Sequence, residues 1–142
     1  MPGKQHVLFL CTGNSARSQM AEAILRQIAG DEYIAYSAGT QPRGVHPRTI
    51  EVMDEIDVDI RQQKSKNIDL FVDQQFDFVI TLCDRAKERC PAFPGAALIH
   101  CGFDDPTETR GDRDIELRQF RKVRDEITRR IRLWTLAMKP HR

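Results

Sequence analysis

The sequence predicts an α/β protein in which helices cover both faces of a parallel sheet. Two observations indicate this class. Strand-like and helical segments alternate along the chain, and the first strand-like segment, HVLFLC, is apolar throughout, as a strand covered on both faces would be. The 142 residues amount to the length of one domain, so we expect a single domain over residues 1–142.

The first half of the chain contains two strand and helix pairs. HVLFLC is followed by ARSQMAEAILRQIAG, which repeats apolar residues at helical spacing and ends in a glycine. YIAYSAG is the second strand. The next predicted helix is HPRTIEVMDEIDV, with Pro47 near its first turn. Its apolar face is expected to carry, on successive turns, Ile50, Met53 and either Ile56 or Asp57.

The second half contains two further strands and a long closing helix. A short helix over residues 68–72 precedes the strand FDFVITLC, and AALIHC is the fourth strand. Apolar residues recur every third or fourth position over residues 113–138, which predicts one long amphipathic helix. Parallel sheets of this kind bind ligands beyond the carboxyl ends of their strands, and three cysteines, Cys11, Cys83 and Cys101, lie at predicted strand ends, so we expect chemistry there.

Composition narrows the functional classes. Lys plus Arg number 22 and Asp plus Glu number 21, so no global field attracts nucleic acid or an anionic membrane. The apolar run VLFL near the start is too short for a signal peptide or a membrane span, so we expect a cytoplasmic protein. Four cysteines in such a protein are typically catalytic, redox-active or metal-binding rather than a disulfide framework.

The loop CTGNSAR after the first strand has the features of an anion site. Its residues between the cysteine and the arginine are small or tolerate left-handed backbone, so their N–H groups are able to turn inward. Those donors and the positive end of the following helix favour a tetrahedral oxyanion, which Arg17 clamps in a bidentate manner. The predicted oxyanion-binding residues are Thr12, Gly13, Asn14, Ser15, Ala16, Arg17 and Ser18.

Cys11 is the candidate nucleophile of this loop. An anion-binding environment favours the thiolate, which is the reactive form of cysteine, and Ser18 is close enough in sequence to donate a hydrogen bond to the sulfur. The spacing between Cys11 and Arg17 alone fits a buried core cysteine followed by a surface arginine equally well. The small-residue loop and its position between a strand and a helix favour the catalytic interpretation.

The stretch CTGNSARSQMAE resembles the active-site loop of the low-molecular-weight protein tyrosine phosphatases and of the arsenate reductases that share their fold. The phosphatases usually carry a second cysteine before the arginine and a proline after the serine. Ala16 and Gln19 occupy those positions here, so the loop looks like the reductase branch. The resemblance implies a three-layer sandwich with a four-stranded parallel sheet in the order 2-1-3-4 and helices on both faces.

The stretch TLCDRAKERCP contains a second pair of thiols, Cys83 and Cys90. Ester hydrolysis needs no such pair, whereas reduction of arsenate to arsenite needs two electrons, which two thiols supply by forming a disulfide. If DRAKER is helical, the two residues lie about 10 Å apart along the axis, farther than a disulfide allows. Oxidation is therefore expected to unwind this segment. A structural zinc site and two unrelated cysteines are the alternatives, and the spacing is poor for zinc.

The resemblance implies a relay of three cysteines that is typical of thioredoxin-coupled arsenate reductases. Cys11 attacks arsenate, Cys83 forms a transient disulfide with Cys11, and Cys90 then forms a disulfide with Cys83 that thioredoxin reduces. Cys101 is expected to be a packing residue at the end of the fourth strand. No metal and no bound cofactor are expected; the electrons come from an external thiol reductant, thioredoxin first and glutaredoxin or another thiol system as the open alternative.

The stretch GFDDPTE supplies the expected general acid. In the family the acid is the aspartate directly before a proline, which is Asp105 here, although spacing alone does not distinguish it from Asp104 or from a solvated turn carboxylate. The phosphatases usually place a tyrosine shortly after this pair. Thr107, Glu108 and Thr109 occupy that region, which disfavours a phosphotyrosine substrate.

Many relatives in this reductase class bind a potassium ion beside the loop, through residues matching Asn14, Glu22 and Ser37 and an acidic group from the segment before the third strand. That segment has Lys64 and Lys66 where the acidic group is expected. A lysine ammonium is able to replace the cation, so we expect an activity that is insensitive to potassium.

These observations predict a monomeric arsenate reductase that serves arsenic detoxification. Phosphate and sulfate are expected to compete with arsenate for the loop, and neither nucleic acid nor a membrane is an expected partner. The first alternative is a phosphatase acting on phosphotyrosine or on small phosphomonoesters, with the second thiol pair incidental. A thiol redox sensor or oxyanion-binding module without catalytic activity is the second.

Overall fold

The computed structural model describes residues 3–139, and its elements alternate as the sequence predicts. Two short 3-10 helices, Ile68–Phe71 and Pro106–Glu108, accompany the regular elements. In chain order these are the strands and helices β1 (Gln5–Cys11), α1 (Arg17–Ala29), β2 (Tyr33–Gly39), α2 (Pro47–Asp54), β3 (Phe78–Thr81), α3 (Asp84–Glu88), β4 (Ala97–His100) and α4 (Arg113–Met138).

The four strands form one parallel sheet in the order β2-β1-β3-β4, so the predicted α/β class and strand order are confirmed. β1 lies inside the sheet and pairs with β2 and β3. Its last residue, Cys11, is opposite Gly39, and Leu10 is opposite Thr81. The carboxyl ends of three strands therefore meet at one edge, which brings the loop after β1 close to the segment that begins with Cys83.

Apolar side chains cover both faces of the sheet, as the continuous apolar run of β1 predicts. Because side chains alternate along a strand, Val7, Phe9 and Cys11 point to the face packed by α1, α2 and α4. Leu8 and Leu10 point to the opposite face, which is packed by the 3-10 helix at 68–71 and by α3. Cys11 is therefore held on the side of the sheet from which α1 begins.

The long closing helix has the bounds that its apolar repeat predicts, residues 113–138. Asp112 caps its amino end by accepting a hydrogen bond from the Ile115 amide. Phe120, Val123 and Ile127 on its inner face are almost completely buried. The helix packs against α1 and α2, so it holds the helical layer on this face together.

The second predicted helix is shorter than expected, because α2 ends at Asp54 and does not continue to Val58. Asp57 adopts left-handed backbone, with φ of 61°. Its amide donates to the Asp54 carbonyl, and the Val58 amide donates to the Met53 carbonyl. These two bonds form a Schellman motif, in which Val58 packs back on the main core and continues the apolar pattern without a helix.

The short helix expected at 68–72 is present as a 3-10 helix over Ile68–Phe71. The strands FDFVITLC and AALIHC pair over only four residues each. Within residues 3–139, none of the helices combines the length and the apolar character needed to cross a membrane.

Replacement of Ile127 by Ala tests the packing of α4. Ile127 is 1% exposed, so we expect the free energy of unfolding to fall by about 2–5 kcal/mol, measured by chemical denaturation. Leu133 lies on the same helix and is 58% exposed, so Leu133→Ala is the control and is expected to change stability by no more than about 0.5 kcal/mol. Equal losses for the two variants would contradict the assigned orientation of α4.

Candidate active site

The loop between β1 and α1 is built as an anion cradle. Four successive carbonyl groups, those of residues 12–15, accept hydrogen bonds of 2.8 to 3.1 Å from outside the loop. The donors are the amides of Gln41, Arg43 and His46 and the Gln19 side chain. Because C=O and N–H point in opposite directions across a trans peptide, outward carbonyls leave the N–H groups of residues 13–16 facing inward. The loop thus presents a concave surface of donors at the start of a helix.

Asn14 fixes the shape of this loop. It is completely buried and adopts left-handed backbone with φ of 47°, a conformation that asparagine tolerates better than most residues. Its side-chain oxygen accepts from Gln19 Nε2 at 2.9 Å and from the Lys66 amide at 2.8 Å. Its side-chain nitrogen donates to Ser18 Oγ at 2.7 Å and to Ser37 Oγ at 3.0 Å.

The Cys11 thiol contacts Ser18, as the sequence predicts. Cys11 Sγ lies 2.8 Å from Ser18 Oγ, and both residues are buried. Because Ser18 Oγ already accepts from Asn14, its own proton is free to point at the sulfur. Ser18 is therefore arranged to stabilise a thiolate at Cys11 by hydrogen bonding.

Arg17, the first residue of α1, links the loop to the segment after β4. Its Nη1 donates to the Phe103 carbonyl at 3.2 Å, and its Nη2 lies 3.3 Å from Asp105 Oδ2. Arg17 is only 6% exposed, so this cation is held in place inside the site. A cavity of about 470 Å³ opens in front of it, and Cys83 and Asp105 contribute to its walls.

Of the two candidate acids, Asp105 is the one that faces Arg17. Its side chain is 19% exposed, whereas Asp104 is exposed. Asp105 Oδ1 accepts two hydrogen bonds from Thr107, one from the amide at 3.0 Å and one from the hydroxyl at 2.7 Å. The proline that follows holds Asp105 in extended backbone, the geometry expected of a residue before proline.

The second thiol pair flanks α3. Cys83 caps the helix, since its Sγ accepts from the Ala86 amide at 3.4 Å, and the same sulfur lies 3.3 Å from Thr12 Oγ1 of the loop. Cys90 follows the helix and is half-buried against the second core. Burial raises the pKa of the Cys90 thiol, which disfavours its thiolate in this position.

All four cysteines are present as free thiols. Cys101 packs partly against the main core, in agreement with its expected packing role. Within residues 3–139, His, Cys, Asp and Glu form no cluster of three with the spacing of a metal site.

Lys66 lies in the corner that the sequence assigns to an internal cation. Its Nζ donates to the Lys64 carbonyl at 2.6 Å and lies 3.8 Å from Glu22 Oε1. That carboxylate oxygen also accepts from Ser37 Oγ at 2.7 Å. Burial lowers the pKa of Lys66, and the Glu22 carboxylate opposes this shift. Lys64 itself is exposed and takes part through its backbone carbonyl.

Two supports of the loop were missed in the sequence. Gln19 Nε2 donates to the Asn14 carbonyl of the loop and to the Lys64 carbonyl. Gln63 Nε2 in turn donates to Gln19 Oε1 at 2.7 Å. The only sign of this was the glutamine in place of the usual proline. Gly39 is the other, because a Cβ there would lie 2.5 Å from the Thr12 carbonyl oxygen. The available signal was its position at the end of the predicted strand YIAYSAG.

The fold and the site define a class of protein that handles oxyanions with a cysteine. The thiol ends an inner strand of a parallel sheet, and an amide-lined loop and an arginine at a helix start surround the anion position. A family model described as "Low molecular weight phosphotyrosine protein phosphatase" matches residues 6–141. The chain belongs to this family.

Its relatives include several arsenate reductases. The chain is 46% identical over 130 residues to an arsenate reductase of Halalkalibacterium halodurans, with 91% of this chain and 94% of the relative covered. A structure described as an arsenate reductase in the phosphate binding state superimposes with a TM-score of 0.82 at 29% identity, over 95% of this chain and 99% of the other. The thioredoxin-dependent arsenate reductase Cg_ArsC1' of Corynebacterium glutamicum gives a TM-score of 0.71 at 31% identity, over 94% and 61% of the two chains.

The Lys66 corner predicts that catalysis does not depend on potassium. Steady-state rates of arsenate reduction should be equal in potassium and sodium buffers of the same ionic strength, because the Arg26 guanidinium at 2.8 Å and the Lys66 ammonium at 3.8 Å already neutralise Glu22. Lys66→Asp is the matched variant: it places two carboxylates together, so its rate should rise when potassium replaces sodium. A large potassium effect on the unmodified protein would contradict the assignment.

Alkylation tests the raised pKa of Cys90. Since burial disfavours the thiolate, iodoacetamide should label Cys90 in the folded protein only at higher pH than in the urea-unfolded chain, as followed by peptide mass spectrometry. The unfolded chain is the internal control for the intrinsic reactivity of the same thiol. Coincident pH profiles in the two states would show that Cys90 is not buried in this way.

Proposed function

We propose that this protein reduces arsenate to arsenite through Cys11, Cys83 and Cys90 and is recycled by thioredoxin. The observation that carries the proposal is the contact between Thr12 Oγ1 and Cys83 Sγ at 3.3 Å. Thr12 follows Cys11 directly in the chain, so a second thiol stands beside the anion cradle, where a two-electron reduction needs it. The arsenate reductases among the relatives support the choice of substrate.

In the first step the cradle amides and Arg17 hold arsenate, and the Cys11 thiolate attacks arsenic. A bond forms between Cys11 Sγ and arsenic while one arsenic–oxygen bond breaks. The departing hydroxyl group takes a proton from Asp105 and leaves as water, because hydroxide is a poor leaving group without general acid assistance. The fixed positions of Arg17 and Ser18 stabilise the charges on the anion and on the sulfur before reaction.

In the second step Cys83 attacks the sulfur of Cys11. A disulfide forms between the two cysteines, and the electron pair of the sulfur–arsenic bond stays on arsenic, which leaves as arsenite. Arsenic thereby passes from the +5 to the +3 state, and two thiols supply both electrons. The Ala86 amide and the Thr12 hydroxyl hold the Cys83 sulfur at the cradle for this attack.

In the third step Cys90 attacks Cys83 and releases Cys11. Cys83 and Cys90 flank α3, so the helix has to unwind before their Cα atoms reach disulfide distance, about 4.4–6.8 Å. α3 has five residues, of which only Ala86 is buried, so little apolar surface opposes the change. Thioredoxin then reduces the disulfide between Cys83 and Cys90 and restores the enzyme.

Hydrolysis of small phosphomonoesters or phosphotyrosine is the rival activity, because a phosphate ester uses the same cradle, nucleophile and acid. The position of Cys83 favours reduction, since hydrolysis leaves that thiol without a role. A catalytically silent redox sensor would not need an acid beside the arginine. A thioredoxin-coupled assay that compares arsenate with a phosphate ester separates the three functions.

We also propose an oligomeric state, a cellular location and binding partners for the protein. It is a monomer of one domain over residues 1–142, of which residues 1–2 and 140–142 lie outside the described structure. It works in the cytoplasm with no bound cofactor, where four free thiols remain reduced. Arsenate is the substrate, phosphate and sulfate compete for the cradle, and thioredoxin is the protein partner.

Replacement of Cys90 by Ser tests the relay. The variant should release about one arsenite per enzyme and then stop, because the disulfide between Cys11 and Cys83 forms but is not passed on for reduction by thioredoxin. Mass spectrometry of the arsenate-treated variant should show Cys11 bonded to Cys83. Cys101→Ser is the matched control and should turn over repeatedly. Sustained thioredoxin-driven turnover by the Cys90 variant would eliminate the relay.

A further inference from the structure

We propose that Thr107 is a positioning residue that determines which oxygen of Asp105 delivers the proton to arsenate. The inference rests on the proposed function, in which Asp105 is the general acid. Thr107 lies two residues beyond that acid, in the 3-10 helix Pro106–Glu108. Its side chain and its backbone both bond to the same carboxyl oxygen.

The two oxygens of Asp105 have different surroundings. Oδ1 accepts from the Thr107 amide at 3.0 Å and from the Thr107 hydroxyl at 2.7 Å, so both of its lone pairs are occupied. A proton placed on Oδ1 has to displace one of these donors. Oδ2 has Arg17 Nη2 at 3.3 Å as its partner, and that group is also the clamp for the anion. The proton is therefore carried on Oδ2.

This choice of oxygen matters because Oδ2 is the one that faces the cradle. When an oxyanion occupies the cradle, Arg17 turns its donors to the anion, and Oδ2 is left beside the oxygen that has to depart. The proton on Oδ2 then moves to that oxygen as the arsenic–oxygen bond breaks, and water leaves. Asp105 remains as a carboxylate whose Oδ1 is still bonded to Thr107, so the charge formed in this step is stabilised at once.

The backbone around Thr107 holds the Thr107 amide in a fixed position beside Asp105 Oδ1. Asp105 caps the 3-10 helix Pro106–Glu108, whose first residue is buried, and this helix packs against α4. The Thr107 amide is therefore held by the fold and is kept in any side-chain variant, whereas a substitution of the side chain removes the hydroxyl group. Loss of the hydroxyl frees one lone pair of Oδ1, so the proton is shared between the two oxygens and the carboxyl group is held by the Thr107 amide and Arg17 alone.

The experiment measures single-turnover arsenate reduction and sulfate binding in Thr107→Val, Thr107→Ser and Thr109→Val. Thr107→Val should lower the rate constant for arsenite formation about 10-fold, which is less than the full contribution of a general acid. Its sulfate affinity and its thermal stability should stay close to those of the unmodified protein. Thr107→Ser keeps the hydroxyl and should restore the rate. Thr109→Val removes a hydroxyl that has no bond to Asp105 and should leave the rate unchanged.

A double-mutant cycle with Asp105→Asn distinguishes positioning from a purely structural role. If Thr107 acts through the acid, Thr107→Val should have no further effect on the rate of Asp105→Asn. An equal loss in both backgrounds, or an unchanged rate in Thr107→Val alone, would overturn the inference. Failure of the proposed function would look different, because the unmodified protein would then reduce no arsenate. An active enzyme whose rate is unaffected by Asp105→Asn would instead refute the assignment of Asp105 as the acid.

Discussion

The site depends on the hydrogen bonds of the buried Asn14 side chain. Its oxygen accepts hydrogen bonds from the Gln19 side chain and the Lys66 amide. These two bonds hold the loop in the shape in which its carbonyls point outward and its amides point inward. Its nitrogen donates to Ser18, so the serine proton is directed to the Cys11 sulfur. One amide group thus connects the shape of the loop to the surroundings of the proposed nucleophile, Cys11. Because the group is buried, each of these hydrogen bonds is costly to lose.

The residues proposed for oxyanion binding and those proposed for disulfide transfer belong to opposite faces of the sheet and meet at the edge where its strands end. Cys11 belongs to the face covered by α1 and α4, where dense packing keeps the cradle rigid. Cys83 and Cys90 border the other face, where α3 is short and mostly exposed. Oxyanion binding benefits from rigidity, whereas disulfide transfer needs a segment that is able to unwind. The parallel register of β1 and β3 joins the two, because it places Cys83 beside Thr12.

Much of this organisation was predictable from local patterns. The α/β class and the long helix α4 followed from apolar periodicity, and the cradle followed from small residues between a strand and a helix. The end of α2 was not predictable in this way, because the left-handed Asp57 keeps Val58 in the core without continuing the helix. The bond between Gln63 and Gln19 was also hidden, since the pair is 44 residues apart and neither residue belongs to an apolar pattern.

In the proposed mechanism, the position of Arg17 links anion binding to proton transfer. In this structure Arg17 donates to the Phe103 carbonyl and pairs with the Asp105 carboxyl group, so the segment after β4 is held against the cradle by the cation that we propose binds the anion. An arriving oxyanion would compete with Asp105 for this cation, so in the proposed mechanism Arg17 pairs with the carboxyl group while the cradle is empty and with the anion once it is bound.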